Sequence, residues 1–351
     1  MLNPAQQISE GERDRSEIAP AISLQNLAKS FGNFRAIDGV SLDIARGEVF
    51  GLLGPNGAGK TTTMRILSCL LQPTQGDAFV NGKSVRDPKL RVAISREIGL
   101  LTENPNLYER LTAEQNLVFF ARAYNLPEDQ IESRVSDVLE RFDLASRRKD
   151  RVVAFSKGMK QKLAIARVLL HEPSILLLDE PTASLDAESA KAIRQQISET
   201  ARAGHHTVLL STHNLDDASR LCNRIAILRR GRILAVGTED QILSDVRMSE
   251  KNVGSIWEPR VEIKLIDVDQ MDFGFLKSAV PSIAEVNPIA GGIVITFDTD
   301  LRAVDIDKMT AKTVDSLVGH GAMVTRVLQK KPSLEELYLE IVAESKTLME
   351  N

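Results

Sequence analysis

The chain has 351 residues, which is enough for about two domains with buried cores. Its 44 Lys and Arg residues against 48 Asp and Glu residues give a formal net charge of -4, so no broad basic surface is expected to attract nucleic acid. No apolar run approaches the roughly 18 residues that a membrane-spanning helix needs. The first 20 residues lack the apolar core of a secretory signal, and Cys69 and Cys222 have no CxxC partner. The composition predicts a cytoplasmic protein with a flexible tail over residues 1–20, free thiols and no nucleic acid partner.

The segments that follow the tail alternate between strand and helix patterns. Strand-like alternation begins at Ile22, and a continuous apolar strand over residues 49–53 follows a turn at Gly47. The pair at residues 81–82, Asn-Gly, predicts a hairpin, so antiparallel strands accompany the buried ones. Residues 104–152 become polar and helix-periodic before strand patterns return. These patterns predict an α/β core with an antiparallel β subdomain and a helical insertion.

A second, smaller domain is predicted in the last third of the chain. Periodicity weakens near residue 250 and the segment ends in proline, so we expect a first domain over residues 21–245 and a second over residues 258–351. The later segment has the pattern order β-α-β-β-α-β and then one more helix. This order is typical of a small α+β, ferredoxin-like domain.

A glycine-rich segment after the apolar strand has the pattern of a phosphate-binding loop. Residues 54–61 read GPNGAGKT and fit G-x-x-x-x-G-K-[ST], and a helix-capable segment follows. Backbone N–H groups and the helix N-terminus can therefore converge on an anion. Lys60 supplies a charge for the β- and γ-phosphates, and the Thr61 hydroxyl is a hard ligand suited to Mg²⁺. The residues assigned to this phosphate loop are Gly54, Pro55, Asn56, Gly57, Ala58, Gly59, Lys60, Thr61 and Thr62.

Two acidic residues follow another buried strand pattern. Residues 175–178 are apolar and deliver Asp179 and Glu180 to the carboxyl end of the strand, where ligands collect in open α/β sheets. Asp179 is suited to hold Mg²⁺ through water, and Glu180 can accept a proton from an attacking water. A solvated strand end is the alternative interpretation of this acidic pair.

The segment between the helical insertion and that strand is the most specific signal. Residues 155–161 read FSKGMKQ and directly precede a helix pattern, which the strand ending at Asp179 follows. With this segment, the chain from Ile22 to about Gly237 resembles the nucleotide-binding subunit of ATP-binding cassette (ABC) transporters. In that family the signature segment meets the γ-phosphate on the phosphate loop of a partner subunit, so two ATP molecules lie between two cassettes. The resemblance implies an Mg²⁺-dependent ATPase that forms a homodimer, or a heterodimer with a related cassette. The signature residues implied to bind ATP are Ser156, Gly158 and Met159.

Further positions are assigned by the same resemblance. Asp186 resembles the residue that contacts the opposite subunit, and His213 resembles the switch histidine that touches the γ-phosphate. Phe31 occupies the position of the aromatic residue that stacks on adenine. Glu103 stands where the family usually has glutamine; a carboxylate can coordinate Mg²⁺ or orient water but cannot donate an amide hydrogen bond. The resemblance implies catalytic roles for Glu180 and His213 and metal contacts for Thr61, Asp179 and Glu103.

Two regions resemble the branch of the family that exports drugs, ions or polysaccharides: Glu103 and the P-S-L-E motif at residues 332–335. This branch implies ATP-driven dimer closure that powers separate transmembrane permease subunits, with the chain held at the inner face of the membrane. The alternative is a non-transport cassette that acts on ribosomes or DNA. Such members resemble tandem cassettes or carry long coiled coils, and neither feature is present. The signature segment and the lack of an N-K-x-D motif argue against a kinase or a GTPase.

Overall fold

The computed structural model divides between Ile242 and Leu243 into two compact units. It describes residues 19–202, 206–242, 260–266, 271–298, 303–330 and 334–347. The predicted tail over residues 1–20 lies outside the described residues except for its last two, and so do Pro332 and Ser333 of the P-S-L-E motif.

The first unit contains the α/β core. Its strands are β1 (Ile22–Phe31), β2 (Phe34–Ile44), β3 (Val49–Leu53), β4 (Gln75–Val80), β5 (Lys83–Ser84), β6 (Ile98–Leu101), β7 (Ile175–Asp179), β8 (Thr207–Thr212), β9 (Arg224–Arg229) and β10 (Arg232–Gly237). Its principal helices are α1 (Lys60–Leu67), α2 (Arg91–Glu97), α3 (Ala113–Ala123), α4 (Glu128–Arg141), α5 (Lys157–Leu169), α6 (Ala187–Arg202) and α7 (Leu215–Leu221).

A six-stranded sheet in the order β10-β9-β3-β8-β7-β6 forms the centre of this unit. The strands from β9 to β6 are parallel, and β10 pairs antiparallel at the edge. Successive residues of β7 enter different core clusters, Leu176 and Leu178 on one face and Ile175 and Leu177 on the other. Both faces are therefore buried, which explains the continuous apolar pattern of the strand. Because β3, β7 and β8 are parallel, the residues that follow them share one edge of the sheet.

The antiparallel sheet and the helical insertion complete the first unit. The antiparallel sheet has the order β2-β1-β4-β5, and the predicted hairpin joins β4 to β5 with positive φ angles of 46° at Asn81 and 77° at Gly82. Helices α3 and α4 occupy the predicted insertion and pack into the same core cluster as Leu176. A capping box starts α3, because the Thr112 hydroxyl accepts from the Gln115 N–H while the Gln115 side chain accepts from the Thr112 N–H.

The second unit is a small α+β sandwich. It contains β11 (Arg260–Ile266), α8 (Phe275–Ala279), β12 (Ile283–Ile289), β13 (Gly292–Phe297), α9 (Ala303–Gly319), β14 (Met323–Lys330) and α10 (Leu334–Thr347). Its sheet has the order β12-β13-β11-β14 with antiparallel pairing throughout, and this order agrees with the predicted ferredoxin-like arrangement.

Two further findings concern the chain as a whole. The two cysteines are free thiols, as predicted, and both are partly buried. Among the helices that the structure describes, none is both long enough and apolar enough to cross a membrane.

Candidate functional site

The phosphate loop connects β3 to α1 and requires glycine at two close approaches. A Cβ on Gly54 would lie 2.3 Å from the Leu228 carbonyl oxygen. Gly59 has a φ of 112°, and a Cβ there would lie 2.7 Å from the Ala36 carbonyl oxygen. Lys60 begins α1, and its Nζ donates to the Gly54 carbonyl oxygen at 2.6 Å. The loop therefore holds its cation beside the N-terminus of a helix, and neither Gly54 nor Gly59 has room for a side chain.

At the carboxyl edge of the sheet, Glu180 contacts both Lys60 and His213. Lys60 Nζ is 3.4 Å from Glu180 Oε1, and Glu180 Oε2 is 2.9 Å from His213 Nδ1. Because a carboxylate only accepts, His213 donates Nδ1–H to Glu180. Glu180 Oε1 accepts no hydrogen bond from the described residues, although it is shielded from solvent. The Glu180 carboxylate is thus held by its ion pair with Lys60 and its hydrogen bond from His213, and Oε1 can accept a further hydrogen bond.

Asp179 and two other predicted metal-binding residues share a small cleft of about 200 Å³. The cleft is lined in part by Thr61, Glu103 and Asp179. Asp179 is only 3% exposed and accepts a hydrogen bond from the Ser211 hydroxyl on β8. Glu103 is exposed and also lines the adjoining, larger cleft of about 320 Å³, which contains Lys60 and Glu180. The residues predicted to bind Mg²⁺ through hydroxyl and carboxylate oxygens therefore lie in one cleft.

Two aromatic residues stand at the mouth of the larger cleft. Phe31 lines it and is 50% exposed, with Lys29 Nζ 5.1 Å from the centre of its ring. Phe34 also lines this cleft. The sequence analysis did not identify Phe34, although the Gly-Asn pair between the two aromatic residues is a hairpin signal.

The signature residues lie in a different cleft. Ser156 caps α5, and its hydroxyl accepts from the Met159 N–H at 3.2 Å. Ser156, Gly158 and Met159 line a cleft of about 340 Å³ that has no lining residue in common with the phosphate-loop cleft. Within the part of the chain that the structure describes, the two groups of predicted ATP-binding residues remain separate.

Asp186 lies beside the signature cleft. Its Oδ1 accepts from the Ser189 N–H at 2.9 Å and its Oδ2 accepts from the Ser189 hydroxyl at 2.7 Å. These hydrogen bonds from Ser189 lower the pKa of Asp186. Ser189 also lines the signature cleft, so it links Asp186 to the signature residues.

Comparisons with known proteins identify the family. A family model described as "ABC transporter" matches residues 37–183. The chain is 34% identical over 335 residues to the daunorubicin resistance ATP-binding protein DrrA3 of Streptomyces coeruleorubidus, and the match covers 94% of this chain and 98% of the relative. The chain belongs to the ATP-binding proteins of ABC transporters. This ABC protein is also 31% identical over 323 residues to the Nod factor export ATP-binding protein I of Bradyrhizobium diazoefficiens, with coverage of 92% and 96%.

A solved structure supports the same assignment. The ABC protein matches the ATP-binding cassette MJ0796, solved as a dimer in a post-hydrolysis state bound to ADP and phosphate, with 28% identity and a TM-score of 0.56. The match covers 62% of this chain and 98% of the other. The predicted family, α/β fold and ATP-hydrolysing activity are therefore confirmed.

Two buried contacts of this ABC protein were missed in the sequence analysis. The Ser211 hydroxyl holds Asp179, and Gln161 Nε2 on α5 donates to the Pro181 carbonyl oxygen at 2.7 Å. Gln161 thereby ties the signature helix to the turn after Glu180. Gln161 belongs to the signature segment at residues 155–161, which marks it as a candidate functional residue. The sequence does not indicate its partner, the Pro181 carbonyl oxygen.

Proposed function

We propose that this subunit hydrolyses ATP at the phosphate loop with Glu180 as the general base, and that it powers separate permease subunits of an exporter. The observation that carries the proposal is the 3.4 Å approach of Lys60 Nζ to Glu180 Oε1 beside the N-terminus of α1. One small region thus holds a cation for the transferred phosphate and a carboxylate for the attacking water.

Phosphate binding is expected to change the partners of Lys60. Its Nζ now donates to the carbonyl oxygens of Gly54 and Pro55 at 2.6 and 3.3 Å and pairs with Glu180. The phosphates of ATP together carry more negative charge than the Glu180 carboxylate, so they would draw Lys60 away from Glu180. Glu180 would then be free to take the proton of a water that attacks the γ-phosphorus, while His213 keeps its carboxylate oriented.

Mg²⁺ fits the cleft that contains Thr61, Glu103 and Asp179. Their hydroxyl and carboxylate oxygens are the ligands that Mg²⁺ prefers. Among the described residues, no group of three or more His, Cys, Asp and Glu side chains is placed to hold a metal ion. Mg²⁺ usually binds through one or two carboxylates and completes its shell with water and phosphate oxygens. The bound ion would neutralise charge on the phosphate oxygens. Ser211 would keep Asp179 in place through its hydrogen bond.

A second cassette would complete each ATP site. The N-terminus of α5, capped by Ser156, can accept an anion but lies in a different cleft from the phosphate loop. A dimer in which each signature segment faces the phosphate loop of the other chain would join the two clefts. The dimeric state of the cassette MJ0796 supports this arrangement.

An exposed aromatic cluster is our candidate contact for the permease. Tyr108 and Phe119 are exposed, and their ring centres are 4.9 Å apart. The Asn116 side chain fixes Tyr108 by accepting from its N–H at 2.8 Å and donating to its carbonyl oxygen at 3.0 Å. Tyr108 follows Glu103 closely in the chain, so a partner bound here would be coupled to the metal cleft.

The names of the relatives support export, and the permease would hold the chain at the inner face of the membrane.

The test removes the loop cation. Lys60→Ala should abolish productive ATP binding and phosphate release, while Lys89→Ala, at an exposed lysine away from the loop, should leave both unchanged. Chelation of Mg²⁺ by EDTA should stop phosphate release in the unmodified protein. Calorimetric ATP binding and a phosphate-release assay measure these effects. Near-normal affinity and turnover in Lys60→Ala would overturn the proposed site.

A further inference from the structure

The hairpin that carries Phe31 places a second ring beside it. Residues 32–33 form the turn between β1 and β2, and Phe31 is paired directly with Phe34 across it. Residues directly opposite each other in an antiparallel pair project to the same face of the sheet. Ala36, two residues further along β2, also lines the phosphate-loop cleft. The strand register therefore directs Phe31 and Phe34 toward the same side of the cleft.

No ring stacking or cation contact among the described residues explains the exposed position of the Phe34 ring. Its side chain is 62% exposed, and it takes part in no ring stacking or cation contact among the described aromatic residues, whereas Phe31 has Lys29. Phe31 and Phe34 both are exposed and line the cleft, and aromatic side chains are common in the walls of ligand sites. The face of an aromatic ring can stack on a nucleobase.

We infer that Phe34 is a second base-binding residue, and that the purine of the nucleotide contacts both Phe31 and Phe34. This inference rests on the proposed nucleotide site. The rings contact the base through their apolar faces, so Phe34 should increase the affinity for adenine and guanine nucleotides by similar factors. The phosphates lie at the loop and do not depend on Phe34. The affinity of a ligand with a base should therefore depend on Phe34, and that of a ligand without one should not.

The test compares ligands with and without a base. ADP, GDP and pyrophosphate compete with a fluorescent ADP derivative for the full-length protein and for Phe34→Ala, Phe34→Trp and Phe34→Leu. ADP and GDP avoid hydrolysis during the measurement. Leu70→Ala, which removes another exposed large apolar side chain outside the cleft, is the matched control. Thermal unfolding of each variant shows whether it is folded.

Phe34→Ala should weaken ADP and GDP about five- to thirtyfold and change pyrophosphate less than twofold. Phe34→Trp should retain the affinity for ADP, Phe34→Leu should fall between Phe34→Ala and Phe34→Trp, and Leu70→Ala should match the unmodified protein. An ADP affinity within twofold of normal in Phe34→Ala would overturn the inference. So would an equal loss for ADP and pyrophosphate, because the change would then act on the loop. Failure of the unmodified protein to bind any of these ligands would instead count against the proposed nucleotide site.

Discussion

At the scale of single residues, two charged groups of the site lie almost entirely out of solvent. Lys60 is 5% exposed and Asp179 is 3% exposed. A buried charge without partners costs several kcal/mol, so each must be held by specific neighbours. Two carbonyl oxygens and Glu180 hold Lys60, and the Ser211 hydroxyl holds Asp179. These partners keep the site assembled before phosphate arrives.

Glu103 is exposed, and its role can be separated from that of Glu180. If Glu103 only orients Mg²⁺ and water from the edge of both clefts, Glu103→Gln should keep the hydrolysis rate within about tenfold, about 1.4 kcal/mol. Steady-state phosphate release at saturating ATP measures the change, with Glu180→Gln beside it as the reference for loss of the base. A rate as low as that of Glu180→Gln would give Glu103 an essential role.

His171 should make stability depend on pH. Its Nε2 lies 3.1 Å from the Ile98 carbonyl oxygen and therefore carries the proton, while Nδ1 is shielded and has no hydrogen-bond partner in the described chain. Burial lowers the pKa of His171 from its ordinary value of 6.5. The contribution of neutral His171 to stability is therefore complete above pH 6.5, and it is lost as the pH falls through the lower folded pKa.

Urea unfolding at pH 7.5 and about pH 5.5 measures this dependence. The unmodified protein should lose stability at the lower pH, and His171→Phe, which keeps a ring to stack on Tyr124, should lose less. His320→Gln, at an exposed histidine, is the control. An equal loss in His171→Phe and the unmodified protein would show that His171 does not cause the effect.

At the scale of elements, the signature helix is packed tightly against the start of α6. A Cβ added to Gly158 would lie 2.4 Å from Ser189 Oγ and 2.9 Å from Ser189 Cβ. Ser189 would have to move away from Asp186, whose two carboxylate oxygens it binds. The geometry of the signature cleft therefore depends on a glycine and a serine from different helices.

Gly158→Ala should destabilise the protein by up to about 2 kcal/mol, because overpacking costs about 1–3 kcal/mol and alanine regains only roughly 1 kcal/mol over glycine in a helix. Ser189→Gly removes the side chain that would clash. Gly158→Ala should therefore reduce the unfolding free energy less in the Ser189→Gly background than in the unmodified protein. Urea unfolding of the four proteins forms a double-mutant cycle. Additive changes in the unfolding free energy would contradict the predicted clash.

The sequence predicted elements whose signals are local. The apolar run of β7 ends at Asp179, and the Asn81-Gly82 pair forms the predicted turn, because a buried parallel strand and a tight hairpin each impose their own residue pattern. Contacts between distant segments had no such pattern. Ser211 meets Asp179 only because β8 and β7 are neighbours, and Phe34 faces the cleft only because of the register of β1 and β2.

At the scale of the whole molecule, the predicted ATP-binding residues lie in two separate clefts of the first unit. The phosphate-loop cleft contains the cation and the proposed base, and the signature cleft contains the capped N-terminus of α5. If each ATP contacts one phosphate-loop cleft and one signature cleft, as we propose, a single first unit supplies one half of each of two sites. Two copies, or this chain and a related cassette, could complete both sites at once.

The most direct test of this account is size-exclusion chromatography of Glu180→Gln with and without Mg²⁺-ATP. This change keeps the shape of the side chain and a hydrogen-bonding group but removes proton acceptance, so hydrolysis should fall about 10²–10⁴-fold while ATP binding persists. The variant should form a dimer only with ATP, because ATP bound between the chains, as proposed, would stabilise their association. Adding Ser156→Arg should abolish the dimer, whereas adding Ser133→Arg, at an exposed position of α4, should not. A monomer in ATP, both alone and with a co-purified cassette, or a dimer indifferent to ATP and Ser156, would contradict the account.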